Sequence, residues 1–279
     1  MNVLVLGAYG FIGSEITRAL LKQSHKVCGF GRSAMLGKRL IPHIEWVQGD
    51  LRTMSVSDWQ EILTDIDVVV NAAGALQNSS RDTLDQVHVT AIKQLLRAAT
   101  SNSLRIVQIS AAGVSPDSPN DFLRTKAEGD TLIMASGHKW VILKPALVFG
   151  AQAYGGTAIL RAQASLPLVQ FLVFPDSRIQ TVSVSDLANA TVAAVDGRVA
   201  SGTIADLAED QSRPLKAVVK LLRAWQGFPE PKLTINLSNI LIAPIAKIAD
   251  FLGYLGWRSP LRSNALTVLK NGILANAST

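Results

Sequence analysis

The chain has 279 residues, 48% of them hydrophobic and 17% charged, a balance that excludes intrinsic disorder because enough apolar surface exists to offset the ordering entropy. A single cysteine excludes an intrachain disulfide framework and a cysteine-based zinc site, and fits a reducing compartment. The net charge of +6 comes from scattered basic residues with no aromatic-interleaved run, so no nucleic-acid partner is expected.

Val3–Leu6 is a compact apolar run and predicts a buried strand, with no positively charged leader before it. Helical periodicity follows over Phe11–Gln23. Further strands are expected at Lys26–Phe30, Ile44–Val47, Asp67–Val70, Arg105–Ile109 and Trp140–Leu143. Helices are expected at Val56–Leu63, Leu84–Thr100 and Ala127–Ser136. Strands alternating with helices imply βαβ units, hence an α/β doubly wound parallel sheet of the Rossmann type.

The pattern changes after Gly150. The reading is a nucleotide-binding domain over 1–150 and a small, mostly helical C-terminal lobe over 151–279, with 182–195 returning to the core sheet. Ala151–Gly156 reads as a loop, Leu166–Phe174 is apolar, and Val182–Val184 is a strand leading into a helix that ends near Val195. Pro214–Trp225 and Leu237–Leu255 read as helices. Lys247 and Asp250 interrupt the latter, so no clear membrane span is expected. Trp257 and Arg258 beside this apolar helix suit either a membrane interface or packing across the core, so peripheral membrane or protein-complex contact through 236–262 stays open.

Two motifs carry chemistry. Gly7-Ala8-Tyr9-Gly10-Phe11-Ile12-Gly13 lies between a strand and a helix. Gly7 permits the tight turn, Gly10 lets backbone approach a pyrophosphate, and Gly13 lets the helix pack closely on the sheet. Free amides and the helix dipole then favour phosphates. The second motif is Gly29-Phe30-Gly31-Arg32-Ser33, where an NAD site usually places an acid for the ribose 2′-hydroxyl. None stands here, and Arg32 suits a 2′-phosphate, so NADP(H) is expected ahead of NAD(H).

These motifs, with Gly49-Asp50-Leu51, Asn71-Ala72-Ala73-Gly74 and Leu143–Gly150, resemble the short-chain dehydrogenase/reductase superfamily, particularly its atypical and extended NAD-dependent epimerase/dehydratase branch. Phe122-Leu123-Arg124-Thr125-Lys126-Ala127-Glu128-Gly129 is similar to the group around the nucleotide-binding accessory subunit of respiratory complex I. The resemblance implies that Asp50 and Leu51 meet adenine, that Ala72, Ala73 and Gly74 line the adenosine ribose, that Pro145–Val148 pass the nicotinamide, and that Lys126 binds its ribose.

The resemblance also implies a Tyr four residues before that Lys; Phe122 stands there. Ala111 stands where a Ser or Thr is implied, with Ser110 one residue earlier, and His88 replaces an Asn. Tyr154, Ser110 and His88 are candidate substitute acids beside Lys126. Three readings follow: an NADP(H)-dependent reductase of an apolar or quinone-like small molecule, a non-catalytic NADP(H)-binding accessory or sensing protein, and a sugar-nucleotide epimerase or dehydratase. No metal is expected, and the expected location is cytoplasmic or peripheral to a membrane.

Overall fold

The computed structural model describes residues 1–78, 83–100, 104–152, 155–254 and 262–275. In chain order it builds β1 (Asn2–Leu6), α1 (Phe11–Lys22), β2 (Lys26–Gly31), α2 (Ala34–Leu40), β3 (Glu45–Gln48), α3 (Val56–Leu63) and β4 (Val68–Asn71). A π-helical turn, Gln86–Thr90, then runs into α4 (Ala91–Ala98), followed by β5 (Arg105–Ile109), α5 (Asp121–Met134) and β6 (Lys139–Pro145). The remainder is β7 (Leu147–Phe149), α6 (Gly155–Ala164), β8 (Val169–Val173), β9 (Arg178–Ile179), β10 (Thr181–Ser183), α7 (Val184–Val195), β11 (Thr203–Leu207), β12 (Arg213–Pro214), α8 (Leu215–Trp225), β13 (Leu233–Leu237), α9 (Asn239–Tyr254) and α10 (Ser263–Asn271).

Seven parallel strands form the central sheet in the order β11-β6-β5-β4-β1-β2-β3. Chain order reverses between β1 and β4, which opens a crevice at the carboxyl ends of those strands. Val3 and Val5 pack on one face with Ile16, Leu20, Leu187 and Val192, from α1 and α7. Leu4 and Leu6 pack on the other with Trp59, Ile92, Leu95 and Ile133. Both faces are covered, which is why β1 is an unbroken apolar run rather than an alternating one. Each fully buried Leu or Val contributes about 1.5–3 kcal/mol.

The seventh strand, β11, was not expected; its five residues follow Gly202, whose φ is +84°, and are only half-buried at the sheet edge. β10 pairs with β7, not with the central sheet, while α7 behind it lies on α1 and the core. Ser183 caps α7 by accepting from the Asp186 amide. α5 begins at Asp121, six residues earlier than its periodicity suggests, because Asn120 accepts from the Phe122 and Leu123 amides.

The long helix expected over Leu84–Thr100 is broken by the π turn and ends at Ala98. The segment past Gly150 holds α6, which starts at Gly155 inside the stretch expected as a loop, and then β8 and β9. Leu160, Leu172, Ile179, Leu215 and Val219 form its small core. Buried Arg223 donates to the carbonyls of Ala164, Leu166 and Pro229, tying α8 to the end of α6. α9 buries Ile242, Ala246 and Ala249 and exposes Ile245, Ile248 and Phe251. Among the described residues no helix is long and apolar enough to cross a membrane.

Candidate functional site

The glycine loop sits at the carboxyl end of β1, at the switch point. Gly7 has φ +73°, a left-handed conformation that favours glycine, and a Cβ there would lie 3.0 Å from Ala73 Cα. The Gly10 amide donates to the Gly7 carbonyl at 2.8 Å, and the Ser14 amide donates to the Gly10 carbonyl at 2.9 Å. A Cβ on Gly13 would stand 2.2 Å from the Gly7 oxygen, so α1 approaches the turn only because residue 13 has no side chain. Gly10 is the N-cap of α1 and offers no side-chain cap to the first turn. Ile12 packs into the core, and Phe11 lies against Gly150. The loop therefore brings a helix N-terminus without a side-chain cap to the carboxyl end of β1, the arrangement a pyrophosphate site uses.

One end of the crevice is built on β2 and β3. Arg32 is exposed just past β2, and Ser33 accepts from the Leu36 amide at 3.2 Å, which commits its hydroxyl to capping α2. Asp50 accepts from the Arg52 amide and from its Nε, and forms an ion pair with the same guanidinium. Arg52, and more weakly Arg32, hold the Asp50 carboxyl below the usual carboxylate range. Leu51 packs against the core cluster that contains Phe30 and Trp59. Tyr9 reaches back from the glycine loop to lie against Gly31 and Trp46.

The other end gathers on β4, β5 and α5. The Ala72 amide donates to Leu6 O, and the Ala73 amide donates to Asn71 Oδ1. Asn71 in turn donates to Gln108 Oε1 at 2.8 Å, inside the sheet. Gly74 faces His88 and Lys126; a Cβ there would lie 3.6 Å from His88 Nε2 and 3.9 Å from Lys126 Nζ. Lys126 is buried and donates to Ile109 O at 2.9 Å, with its ammonium 5.8 Å from the Phe122 ring centroid. Burial pushes this amine down, and Asp130 one turn later pulls it back up.

His88 is not a poised acid. Its Nε2 accepts from the Ala75 amide at 3.2 Å, so Nδ1 carries the proton and donates to Thr125 Oγ1 at 2.9 Å. The Thr125 hydroxyl in turn donates to Asp121 O. Burial, with Lys126 nearby, holds the imidazole pKa down at about 3. The π turn presses the His88 carbonyl onto α5, where a Cβ on Gly129 would sit 2.2 Å from it.

Ser110 donates to Asp130 Oδ2 at 2.5 Å, and both are buried. Burial raises the Asp130 carboxyl against the opposing pull of Ser110, Lys126 and Lys144. The Gln108 side chain adds a weaker pull on the Asp130 carboxyl in the same direction as Ser110. Pro145 closes β6 and accepts from the Ala112 amide, while Val148 pairs with Val182 across β7 and β10. Tyr154 lies outside the described residues.

Sequence reasoning missed Asp130, Asn71, Gln108, Thr125 and Arg52. The i, i+4 spacing of Lys126 and Asp130 on one helix was the available signal for the first. No group of three or more metal-ligating side chains occurs among the described residues.

Comparison with known proteins agrees with this architecture. The ceramide reductase of Caulobacter vibrioides is 23% identical over 198 residues, covering 68% of this chain and 60% of that protein. A mitochondrial NADH dehydrogenase [ubiquinone] 1 alpha subcomplex subunit 9 from Dictyostelium discoideum is 23% identical and covers 74% and 59%. The chain thus spans about three fifths of the length of these curated relatives. The UDP-glucuronic acid 4-epimerase of Bacillus cereus, solved with NAD, superposes with a TM-score of 0.69 at 22% identity, covering 95% and 97% of the two chains; at that identity the likeness is one of fold. A family model described as NAD(P)H-binding matches residues 7–197, well over half the sequence, and the protein belongs to that NAD(P)H-binding family.

Proposed function

We propose that the protein is an NADP(H)-dependent reductase of an apolar, carbonyl- or quinone-bearing small molecule. The observation that carries this reading is one crevice with a glycine cradle at its centre and a buried lysine at its end: Gly7, Gly10 and Gly13 on one side of the switch point, Lys126 beside Gly74 on the other. When bound, a nicotinamide would supply the hydride. Around it, Lys126 would hold ribose hydroxyls, Ala72–Gly74 would line the adenosine ribose, and Pro145–Val148 would flank the nicotinamide. Asp50 and Leu51 would approach adenine. The preference for NADP(H) rests on Arg32 at the end of β2, with no acid there to take a 2′-hydroxyl. The substrate class rests on the apolar Leu166–Phe174 stretch and on a relative named for reducing ceramide.

The resemblance aligns Phe122 with an absent acid/base tyrosine, so a proton for the substrate would come through Ser110 and its hydrogen-bonded Asp130, or from Tyr154. Phenylalanine at 122 equally supports a second reading, a non-catalytic NADP(H)-binding subunit of a larger complex, in line with the NADH dehydrogenase relative. The epimerase reading has the fold likeness alone behind it. A screen of long-chain ketones and short-chain quinones, following NADPH absorbance, separates the first two. Turnover that vanishes in Gly10→Val supports the reductase; tight NADPH binding with no oxidation by any of them supports the subunit.

A further inference from the structure

The end of β2 is held open for a ring. Gly29 and Gly31 share one face of the strand, two residues apart. A Cβ on Gly29 would lie 2.7 Å from Trp46 Cζ3, and one on Gly37 of α2 would lie 2.4 Å from Trp46 Cε3. Trp46 Nε1 donates to Ile41 O at 3.0 Å, which fixes the indole in this slot. Tyr9 packs beside it, ring centroids 5.9 Å apart and planes tilted by 33°. A Cβ on Gly31 would then lie 2.4 Å from Tyr9 Cε1 and 3.0 Å from Cζ. Gly31 does not have a left-handed φ, so glycine is required there by the ring and not by the backbone.

Gly31 is the last residue of β2, next to Arg32 and hydrogen-bonded through its carbonyl to the Gly49 amide. An acidic side chain growing from this position would have to enter the volume that Tyr9 fills. From this geometry we infer that Tyr9, braced by Trp46, is a specificity-determining residue: its ring excludes an acid from the end of β2 and leaves recognition of the ribose 2′ group to Arg32. The inference rests on the NADP(H) reading above and adds the residue that enforces it. The acid-for-hydroxyl arrangement typical of NAD sites is thereby blocked sterically, by a residue from a different loop.

Nicotinamide fluorescence titrations of the full chain with NADPH and with NADH test this. Gly31→Asp alone is expected to weaken both nucleotides by about tenfold or more, because the carboxylate and the ring compete for one volume. Tyr9→Ala/Gly31→Asp is expected to recover binding and to prefer NADH, by roughly tenfold. A folded double variant that keeps the wild-type preference for NADPH overturns the inference. Should that variant not fold, Gly31→Ala and Tyr9→Ala/Gly31→Ala decide by thermal denaturation. The single methyl is expected to lower Tm and the second change to restore it, whereas a harmless Gly31→Ala overturns the steric argument. Wild-type protein that binds neither nucleotide is a different failure: it removes the NADP(H) reading, and this inference with it.

Discussion

The two ends of the crevice are built on different physics. Around Gly7, Gly13, Gly29 and Gly31 the structure is made by missing atoms: backbone and aromatic rings occupy the places where side chains would begin. Around Lys126, His88, Ser110 and Asp130 it is made by buried polar groups whose hydrogen bonds are nearly all filled. The first end tolerates added volume poorly; the second tolerates lost partners poorly.

The largest expected effect is at the helix–loop contacts. Gly13→Ala puts a methyl against the Gly7 carbonyl, and Gly129→Ala puts one against the His88 carbonyl. Each is expected to cost about 3 kcal/mol, a drop in Tm of roughly 6–12 °C. They diverge in function: in the fraction that stays folded, Gly13→Ala loses NADPH binding and Gly129→Ala keeps it. Calorimetry with and without NADPH checks this, and parallel loss of binding in both would erase the distinction between the two ends.

Lys126→Met tests the polar end by subtraction. It removes a buried amine that burial already penalises but leaves the Ile109 carbonyl without its donor, so Tm is expected to fall by only about 2–4 °C, while NADPH affinity falls by about 10–100-fold. Equal affinity in the variant would take the ribose role away from Lys126.

Acid sensitivity belongs to the same end. His88 binds its proton at about pH 3 in the folded protein, against an ordinary value near 6.5. Between those values the unfolded chain holds more protons, so the neutral imidazole's contribution is complete above about pH 6.5 and is lost as pH falls toward 3. The loss is about 2 kcal/mol by pH 5. Asp130, whose carboxyl is raised, acts in the opposite sense, losing stability as pH rises from the ordinary carboxylate value through its folded one. The His88 share is therefore read as the difference in urea midpoints between wild type and His88→Gln, which should narrow between pH 6.5 and 5. A constant difference would contradict the neutral, doubly hydrogen-bonded imidazole.

The smallest effect is at Ser110. Ser110→Ala strips Asp130 Oδ2 of its donor and is expected to cost about 1 kcal/mol, cancelled when combined with Asp130→Leu, whose side chain needs no donor. Additive costs in the double variant would separate the two residues.

How much of this was legible in the sequence follows the same division. β1, β4 and the centres of β5 and β6 are legible because buried parallel strands are rich in Val, Ile and Leu, and the glycine loop is legible because its spacing is dictated by backbone contact. Past Gly150 the helices α7, α8 and α9 are legible but the short strands are not: β8, β9, β12 and β13 lie in two-stranded pairs, too small to impose a period. The π turn was hidden because its residues keep the amphipathic character of a continuous helix. Of the site, Arg32, Lys126 and Ser110 were singled out from the chain. Asp130 and Thr125 were not, since a polar residue inside a helix reads as solvent-facing until the fold buries it. The role of Gly29, Gly31 and Gly37 as seats for Trp46 and Tyr9 depends on contacts between β2, α2, β3 and the first loop, which no local pattern encodes.

Binding of a phosphorylated dinucleotide through Arg32 is tested by titrating wild-type protein and Arg32→Ala with NADPH and NADH. Wild type is expected to bind NADPH about tenfold or more tightly than NADH, and Arg32→Ala to bind the two alike. Preference for NADH in the wild type, or an undiminished preference for NADPH in Arg32→Ala, would contradict it.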